Sequence, residues 1–458
     1  MPRPPFINRL RSAWRSFSRG YDGAGGSGRW PVSAAMPSPM SEALAARGTL
    51  AMRAAYLVEN SPYGAAIVAA WETALTADGP TIQHPDPLIV RAWNRWWNDA
   101  DAEGLGDLGG LLRRGARSLV TAGESFIHMT VNEDGALRCR LLAAEQVDAS
   151  RNEILADGVR IVAGVEVAAD GRRLAYWVFP MQPDHPLGGL EPVSERIDAA
   201  DILHFFEPPF PGATRGRSWL ASCATRIVEC DKLEDALLAR ARVSALFCAF
   251  VTGSGEVDFQ TERDGNGKPA LSMEPGTVRL LPADTSVTFP NLPPIDGVGD
   301  FLRSQIRSVA AGAGLPYELV SHDLSQVNYS SARLGLSEHR RRVVAIQRTM
   351  IVPQLNKLFR RFVALEIASS RLAVDFRALA DPTFLFPAPP PVDPEKDARA
   401  NILEIAGGFR SRAEIIASSG RDPETVAAEI RDDPAGAPPV RISVAVGGMA
   451  GQGGSDAA

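Results

Sequence analysis

A long segment without helix-breaking residues constrains the fold more than any other feature. From residue 216 to 245 the chain contains no Pro, and no Gly after Gly216. Its apolar stripe consists of Leu220, Ile227, Leu233, Leu237 and Leu238. Because an α-helix rises 1.5 Å per residue, such a helix is about 45 Å long. We therefore predict one long helix over 216–245, longer than a small domain needs.

Two further helices are predicted in the C-terminal half. The helical period favours a helix over 297–313, with Phe301 and Ile306 on one face, and a longer one over 331–369. The stripe of the longer helix consists of Leu336, Val343, Val344, Ile351, Leu355, Leu358, Phe362 and Val363. Since proline lacks an N–H and clashes with the carbonyl four residues earlier, we expect a kink at Pro353.

Between residues 118 and 210 the apolar pattern changes to period two. Residues 125–131 are typical of a strand, and 132–135 of a hairpin turn. Further candidate strands are 138–142, 159–165, 174–179 and 202–206. We predict an antiparallel sheet layer in this region.

Residues 41–120 carry the helical period. Asn60-Ser61-Pro62 ends one predicted helix and begins the next. A later helix contains three tryptophans, Trp93, Trp96 and Trp97. Such a cluster is compatible with base stacking. Large aromatic side chains dominate cores and interfaces, so we favour packing in the core or between subunits.

Composition excludes several classes of protein. The net charge is −6, from 48 Lys and Arg against 54 Asp and Glu, so bulk positive charge does not hold this chain to nucleic acid. The four cysteines, at 139, 223, 230 and 248, lack metal-binding spacing, which favours reduced thiols over disulfides or zinc. No apolar run is long enough to span a membrane, and the N-terminus lacks the apolar region of a secretion signal. We expect no membrane partner, metal or cofactor.

No catalytic motif emerges from the sequence. The Gly-rich run at 265–268 lacks the first Gly and the final Ser or Thr of a phosphate loop. The GxSxG and HExxH patterns do not occur. His128 and His204 lie within strand patterns, so we interpret them as structural residues. The sequence predicts that the protein is not an enzyme.

Positive charge is concentrated on the last long helix. Residues 331–365 contain eight cations and one carboxylate, Glu338, for a net charge of +7. One interpretation is a solvated face paired with acidic neighbours in the same chain. The other is contact with phosphate or with an acidic partner subunit.

The two ends of the chain differ from its centre. Residues 1–40 are predicted to form a flexible arm, with an arm that grips a neighbouring subunit as the alternative. Five prolines in 387–394 predict a stiff linker. Residues 395–433 are predicted to be a small helical unit. The Gly-, Ala- and Ser-rich segment 436–458 is predicted to be disordered.

Several motifs together resemble one protein family. They are G-E-S-F at 123–126, E-P-G-T-V-R-L-L at 274–281, G-L-P-Y-E at 314–318, and N-Y-S-S-A-R at 328–333. Over residues 40–435 the sequence resembles the lambda-type portal proteins of tailed bacteriophages.

The resemblance implies an α+β portal fold in a ring homo-oligomer, with long stem helices, an antiparallel β wing layer, a small β-rich clip and a helical C-terminal crown. The implied regions are a flexible arm at 1–40, a wing at 41–215, stem helices at 216–245 and 297–313, a clip at 246–296, a tunnel loop region at 314–332, a kinked wing helix and linker at 333–394, a crown at 395–435 and a disordered tail at 436–458.

The resemblance also implies a function and partners. Subunits, typically twelve, would form a ring at one capsid vertex, through which double-stranded DNA is packaged and ejected. The implied protein partners are the large terminase subunit, the major capsid protein, and head-completion or tail adaptor proteins. The expected locations are the virion, at its portal vertex, and the host cytoplasm during assembly.

This resemblance assigns expected roles to particular residues. The residues expected to reach the bore of the tunnel are Asp323, Gln326, Asn328 and Tyr329, with Arg303 and Arg307 on the second stem helix as alternatives. The basic helix is expected to form ion pairs between subunits through Arg340, Arg341, Arg342 and Arg348.

Two other classes of function remain as alternatives. An enzyme of capsid assembly, such as a nuclease or a protease, would need clustered carboxylates or a Ser/His pair, which the sequence does not offer. A monomeric DNA-binding module conflicts with the acidic charge balance.

Overall fold

The structure is a computed structural model. It describes residues 39–183, 193–245, 250–252, 262–263, 269–270, 286–288, 297–325, 329–376, 379–388 and 393–433. The predicted arm and C-terminal tail, and most of the segment 246–296, lie outside the described residues. Within the described part the protein is a mixture of helices and antiparallel sheets, and no helix there is long and apolar enough to cross a bilayer.

Four helices form the N-terminal part of the described chain. They are α1 (Pro39–Asn60), α2 (Pro62–Thr76), α3 (Pro87–Asn98) and α4 (Leu108–Ala122). The predicted break at Asn60-Ser61-Pro62 is confirmed. Asp86 and Asp107 begin α3 and α4, because their carboxylates accept hydrogen bonds from the backbone N–H groups of Leu88 and Gly110.

The tryptophans of α3 pack in the core. Trp93 and Trp96 are buried, and their rings contact Phe359 and Phe362 of a C-terminal helix. Trp96 donates from its indole N–H to the carbonyl of Leu137, 2.7 Å away. These contacts confirm core packing for both residues and leave their faces inaccessible to bases.

The strands form two main sheets, whereas the sequence predicted one layer. Strands β2 (Glu124–Val131) and β3 (Leu137–Leu142) form the predicted hairpin, and β9 (Ile202–Phe206) pairs with the other edge of β2. The second sheet has the order β4-β5-β6-β7-β8. Its strands are β4 (Glu153–Ile154), β5 (Arg160–Val162), β6 (Val165–Val167), β7 (Arg173–Val178) and β8 (Glu195–Asp198). A short strand β1 (Thr81–Gln83) lies between α2 and α3.

The single strand predicted over 159–165 is wrong. The chain turns back at Ala163 and Gly164, both of which have positive φ, and β5 and β6 form a hairpin. Positive φ at two successive residues is the geometry of a tight two-residue hairpin turn. Alanine rarely adopts this conformation, so the residue types at this position do not predict the turn.

The long helix is shorter than predicted at its N-terminal end. Helix α5 covers Ala224–Ala245 and begins eight residues later than expected. The preceding residues are held by other partners: Trp219 N–H donates to the carbonyl of Val120, and Gly216 N–H donates to the carboxylate of Glu124. Helix α6 (Val298–Ala313) matches the prediction over 297–313 and packs against α5.

Short strand segments lie between these two helices. They are β10 (Phe250–Thr252), β11 (Glu262–Arg263), β12 (Pro269–Ala270) and β13 (Ser286–Thr288). They pair antiparallel, β10 with β13 and β11 with β12.

The C-terminal long helix is interrupted where the sequence predicted a kink. Helix α8 (Tyr329–Ile346) continues through a π-helical turn, Gln347–Ile351, into α9 (Val352–Ala368). The turn ends two residues before Pro353. A π turn is a common response to an interrupted hydrogen-bond ladder, so the proline accounts for its position.

The last part of the chain is helical, as predicted. Strand β14 (Thr383–Leu385) pairs antiparallel with β1 and is followed by α10 (Pro394–Ala406), α11 (Arg412–Ser418) and α12 (Pro423–Asp432). The short helix α7 (Tyr317–Ser321) connects α6 to the segment before α8.

A buried ionic cluster joins α1, the first sheet and the segment before α5. The carboxylate of Glu124 is fully buried and accepts hydrogen bonds from Arg47 at 2.8 Å, from Arg215 at 2.7 Å and from Gly216 N–H at 2.8 Å. His204 Nε2 lies 3.3 Å from the same carboxylate. Two cations therefore share one anion in the interior.

The cluster determines the ionisation of its members. Burial by itself raises the pKa of Glu124, but Arg215 and His204 outweigh it and hold the pKa well below its usual range. Burial lowers the pKa of His204 to about 4, although Glu124 acts in the opposite direction. At neutral pH the imidazole is uncharged, donating to Glu124 from Nε2 and accepting from the hydroxyl of Tyr176 at Nδ1. This confirms the structural role inferred for His204.

Acidification is expected to destabilise the fold through His204. Because its pKa is lower in the folded state than in the unfolded state, the unfolded chain binds a proton first as the pH falls below about 6.5. The free energy of unfolding is expected to fall by about 2–3 kcal/mol between pH 7 and pH 4.5 from this group. Urea unfolding of wild type and His204→Gln at both pH values measures the difference.

The control for this experiment is His322→Asn, since His322 is exposed. Its pH dependence should match that of the wild type. Equal pH dependence in His204→Gln and wild type would contradict a neutral, buried His204.

Candidate tunnel loop and basic helix

Three of the residues predicted to face the tunnel lie on α6 and just after the short helix α7. Arg303 and Arg307 are exposed on α6, one helical turn apart. The guanidinium of Arg307 lies 5.3 Å from the ring centroid of Tyr317. The hydroxyl of Tyr317 donates to Asp323 Oδ2 at 3.2 Å. The result is a small polar cluster beside the segment that leads to α8.

Asp323 forms a tight turn of its own. Its Oδ1 atom accepts hydrogen bonds from Ser325 N–H at 3.0 Å and from Ser325 Oγ at 2.6 Å. These bonds, with smaller contributions from Tyr317 and Arg303, lower the pKa of the Asp323 carboxyl. Asp323 is therefore an anion at neutral pH, bound to Ser325 and Tyr317 and within electrostatic range of Arg303.

The other predicted tunnel residues lie at or beyond the limit of the description. Gln326 and Asn328 are outside the described residues, and Tyr329 is described as the first backbone position of α8. Their predicted contact with DNA stays a prediction.

Tyr317 is a member of the cluster that reasoning from residue type missed. It belongs to the G-L-P-Y-E motif, which was the only signal for it in the sequence. The structure also explains the glycine of that motif. Gly314 ends α6 with φ +70, and a Cβ at this position would lie 1.8 Å from Arg342 Nη1. The positive φ favours glycine here, and any larger residue would also displace the Arg342 guanidinium.

The basic helix α8 and the π turn after it carry exposed arginines. Arg340, Arg341 and Arg348 are exposed, and Arg341 is 3.8 Å from Glu338 on the same helix. Neither Arg340 nor Arg348 forms an ion pair with another residue in the described ranges. Arg342 differs from these three because its guanidinium lies over the Trp71 ring of its own chain, 5.1 Å from the centroid.

The cations after the π turn are bound within the chain. Arg360 pairs with Asp381 at 2.6 Å and Arg361 with Asp201 at 2.9 Å. Lys357 donates to the carbonyl oxygens of Ala199 and Ile202. The two interpretations of the basic segment thus apply to different parts of it: intramolecular pairing describes its second half, and its first half remains open to a partner.

The joint between α6, α8 and the core is well defined. The indole N–H of Trp71 donates to the carbonyl of Ala313 at 3.0 Å, which fixes the end of α6 on α2. The side chain of Gln347, in the π turn, donates to the carbonyl of Leu75 at 3.0 Å. These two contacts hold the polar cluster and the basic helix in a fixed relation to the core.

Other kinds of site find little support in the described residues. Within the described ranges, no three His, Cys, Asp or Glu side chains are arranged to hold a metal ion. Cys139, Cys223 and Cys230 are buried free thiols, and Cys248 lies outside the described residues. Burial raises the pKa of the Cys223 thiol to about 11, so it is a packing residue and not a nucleophile.

Known proteins resemble this chain in sequence. It is 26% identical over 377 residues to a probable portal protein of Halomonas phage phiHAP-1, a match that covers 79% of this chain and 72% of the relative. It is 24% identical over 289 residues to portal protein B of Escherichia phage lambda, covering 55% of this chain and 53% of that protein.

Solved structures are similar at lower identity. The neck of a native gene transfer agent particle, computed with C12 symmetry, matches with a TM-score of 0.45 and 16% identity, covering 82% of this chain and 94% of the other. An HK97 family phage portal protein from Corynebacterium diphtheriae matches with a TM-score of 0.30 and 11% identity, covering 65% and 85% of the two chains.

A sequence model of one protein family matches most of this chain. The model described as phage portal protein, lambda family, matches residues 27–347 of the 458 in this chain. That range contains helices α1 to α4, both main sheets, α5, α6 and the polar cluster. Because the match covers more than half of the chain, the protein belongs to the lambda family of phage portal proteins, structural and non-enzymatic components of the phage.

Proposed function

We propose that copies of this chain close into a ring around a tunnel for double-stranded DNA, and that the cluster of Arg303, Arg307 and Asp323 faces that tunnel. The observation that carries the proposal is the position of the cluster. It lies along α6 and beside α7, on the segment that leads to the basic helix. Its two arginines are exposed, and its partly exposed carboxylate is held by hydrogen bonds.

The charge of the cluster suits a sliding contact. Double-stranded DNA carries one negative charge about every 1.7 Å of its axis, so a bore densely lined with cations would hold it in place. Here two arginines stand beside two carboxylates, since Arg303 also pairs with Asp300 at 3.2 Å, and the whole chain has a net charge of −6. Such a surface guides a duplex and lets it move in either direction.

Exposed apolar side chains support assembly of several copies. None of the three C-terminal helices α10, α11 and α12 contains a fully buried residue. Phe409 is 82% exposed, Leu403 55% and Ile430 50%. Apolar groups concentrated in this way mark contact surfaces. In the proposed ring, typically of twelve subunits, neighbouring copies cover them.

The first half of the basic helix supplies a second contact in the proposed ring. Arg340, Arg341 and Arg348 are exposed and available to acidic groups of a neighbouring subunit, whereas Arg342 is engaged with Trp71. Docking of the large terminase subunit, the major capsid protein and head-completion or tail proteins belongs to the same proposal. The segment 246–296, proposed as the clip for terminase and head-completion proteins, lies mostly outside the described residues. We propose the portal vertex of the virion, and the host cytoplasm during assembly, as the locations.

Charge reversal in the cluster is expected to reduce DNA packaging. Arg303→Glu with Arg307→Glu, or Asp323→Lys alone, should lower the yield of DNA-filled heads by at least about tenfold, the effect of roughly 1.4 kcal/mol along the DNA path. Complementation of a portal-deficient phage and quantification of packaged DNA measure the effect.

Ring assembly and an outer charge reversal serve as controls. Negative-stain images of the purified variants should show rings, because Arg303 and Arg307 are exposed and Asp323 is partly exposed. Arg172→Glu, in an exposed turn of the second sheet, should package normally. Wild-type head filling in both cluster variants would contradict the proposal.

A further inference from the structure

Hydrogen bonds and backbone conformations define most of the described residues that connect α6 to α8. Gly314 ends α6, and Leu315 N–H donates to the carbonyl of Ala310 at 2.9 Å. Pro316 precedes α7, which ends at His322 with positive φ. Tyr317 and Asp323 therefore lie at the two ends of a single short helix, six residues apart.

A hydrogen bond closes this short helix into a loop. The hydroxyl of Tyr317 donates to Asp323 Oδ2 at 3.2 Å, and the other oxygen of the same carboxylate accepts from Ser325. The carboxylate thus bridges the start of α7 and the turn that follows it. The Oγ atom of Ser321, at the end of α7, also accepts from Asp323 N–H at 3.1 Å, so Ser321 holds the backbone of the turn and Tyr317 holds its carboxylate.

The Tyr317 ring is itself fixed on α6. The Arg307 guanidinium lies over it, 5.3 Å from its centroid, which is within the range of a cation–π contact. The ring is half-buried. Contacts through Arg307 and Tyr317 therefore link α6 to the carboxylate of Asp323.

We infer that Tyr317 is a positioning residue, whose hydroxyl holds the carboxylate of Asp323 and so fixes the direction in which the chain leaves α7. That this direction matters for DNA passage rests on the proposed function of the cluster. The hydrogen bond itself does not depend on that function, so the two statements are tested separately.

The substitution Tyr317→Phe removes the hydroxyl and keeps the ring. Hydrogen exchange of the amides at 323–325, followed by mass spectrometry on the assembled protein, should become about three- to tenfold faster, because one charge-assisted hydrogen bond is lost at a partly exposed site. The matched control is Tyr56→Phe, since Tyr56 is an exposed tyrosine on α1. It should leave exchange at 323–325 unchanged.

A double-mutant cycle separates the hydrogen bond from packing. If the Tyr317 hydroxyl acts through Asp323, Tyr317→Phe combined with Asp323→Ala should accelerate exchange no more than Asp323→Ala alone, because alanine has no side-chain acceptor. Additive effects, or unchanged exchange in Tyr317→Phe, would overturn the inference. Circular dichroism and ring images of each variant establish that the fold is retained.

The amount of DNA packaged by Tyr317→Phe particles then tests whether this contact matters for DNA passage. Faster exchange with reduced retention of packaged DNA supports both statements. Faster exchange with wild-type packaging supports the positioning role of the Tyr317 hydroxyl and contradicts a role of that hydroxyl in DNA passage.

Discussion

Replacing Glu124 with Gln is expected to lower the free energy of unfolding by about 3–5 kcal/mol, the cost of removing one partner from a buried ion pair. The carboxylate is the shared anion of Arg47 and Arg215, and Arg215 is fully buried with it. Glutamine has nearly the same shape and keeps one acceptor oxygen. The loss would therefore come from two guanidinium groups left in the interior without a counter-charge.

Chemical unfolding followed by circular dichroism measures this loss. The matched control is Glu133→Gln, the same substitution at an exposed position in the hairpin turn after β2. The control should change stability by less than about 0.5 kcal/mol. A similarly small change in Glu124→Gln would show that the cluster does not need its anion.

The second large effect is expected at Gly123, next to the cluster. Gly123 has φ +85, and a Cβ there would lie 2.0 Å from the backbone carbonyl carbon of Arg217. Gly123→Ala therefore combines an unfavourable left-handed conformation with a clash between two backbone segments. We expect a loss of about 2–5 kcal/mol, the sum of the conformational and overpacking costs.

A second glycine separates the two contributions. Gly104 has φ +66 and no atom within 4 Å of its Cβ position. Gly104→Ala should cost only the conformational part, about 1–2 kcal/mol. Differential scanning calorimetry of both variants gives the comparison, and equal losses would mean that the approach of Gly123 to Arg217 is not tight.

Helices and strands that begin or end at distinctive residues were predicted well from the sequence. The break at Ser61, the hairpin at 132–135 and the helix over 297–313 all appear in the structure within a few residues. Each has a local cause, such as an N-cap, a turn sequence or a glycine after the helix. The helical C-terminal unit was also predicted, and in the structure Asp393, Ser411 and Asp422 cap its three helices.

The errors arose where distant residues override local preference. Residues 216–223 have a helical pattern, but Gly216 is bound to Glu124, 92 positions earlier in the chain. The cluster around Glu124 likewise joins Arg47 and Arg215, which no local pattern connects. Contacts between residues so far apart in the chain depend on the tertiary fold, and no periodic pattern in the sequence predicts them.

The candidate site was predicted in part. Residue type and position suggested Arg303, Arg307 and Asp323, and the structure brings them close together. Tyr317 was visible only as one letter of a motif, because a tyrosine at a helix start has no distinctive pattern. Arg342 was grouped with its neighbours on α8, yet one position on a helix rotates the side chain by about 100° and directs it to Trp71.

The π turn at Gln347–Ile351 has a consequence for the whole of the helix that contains it. Before the turn the buried positions are His339, Val343 and Ile346, and after it they are Leu355, Leu358 and Phe362; the turn itself buries Gln347, Met350 and Ile351. In an uninterrupted α-helix the first series would continue near Lys357 and Arg361. The wide turn adds one residue to the count, so two out-of-phase stripes meet the same core. The second half can therefore direct Lys357 and Arg361 to the strand region of its own chain, where they bind Ile202 and Asp201.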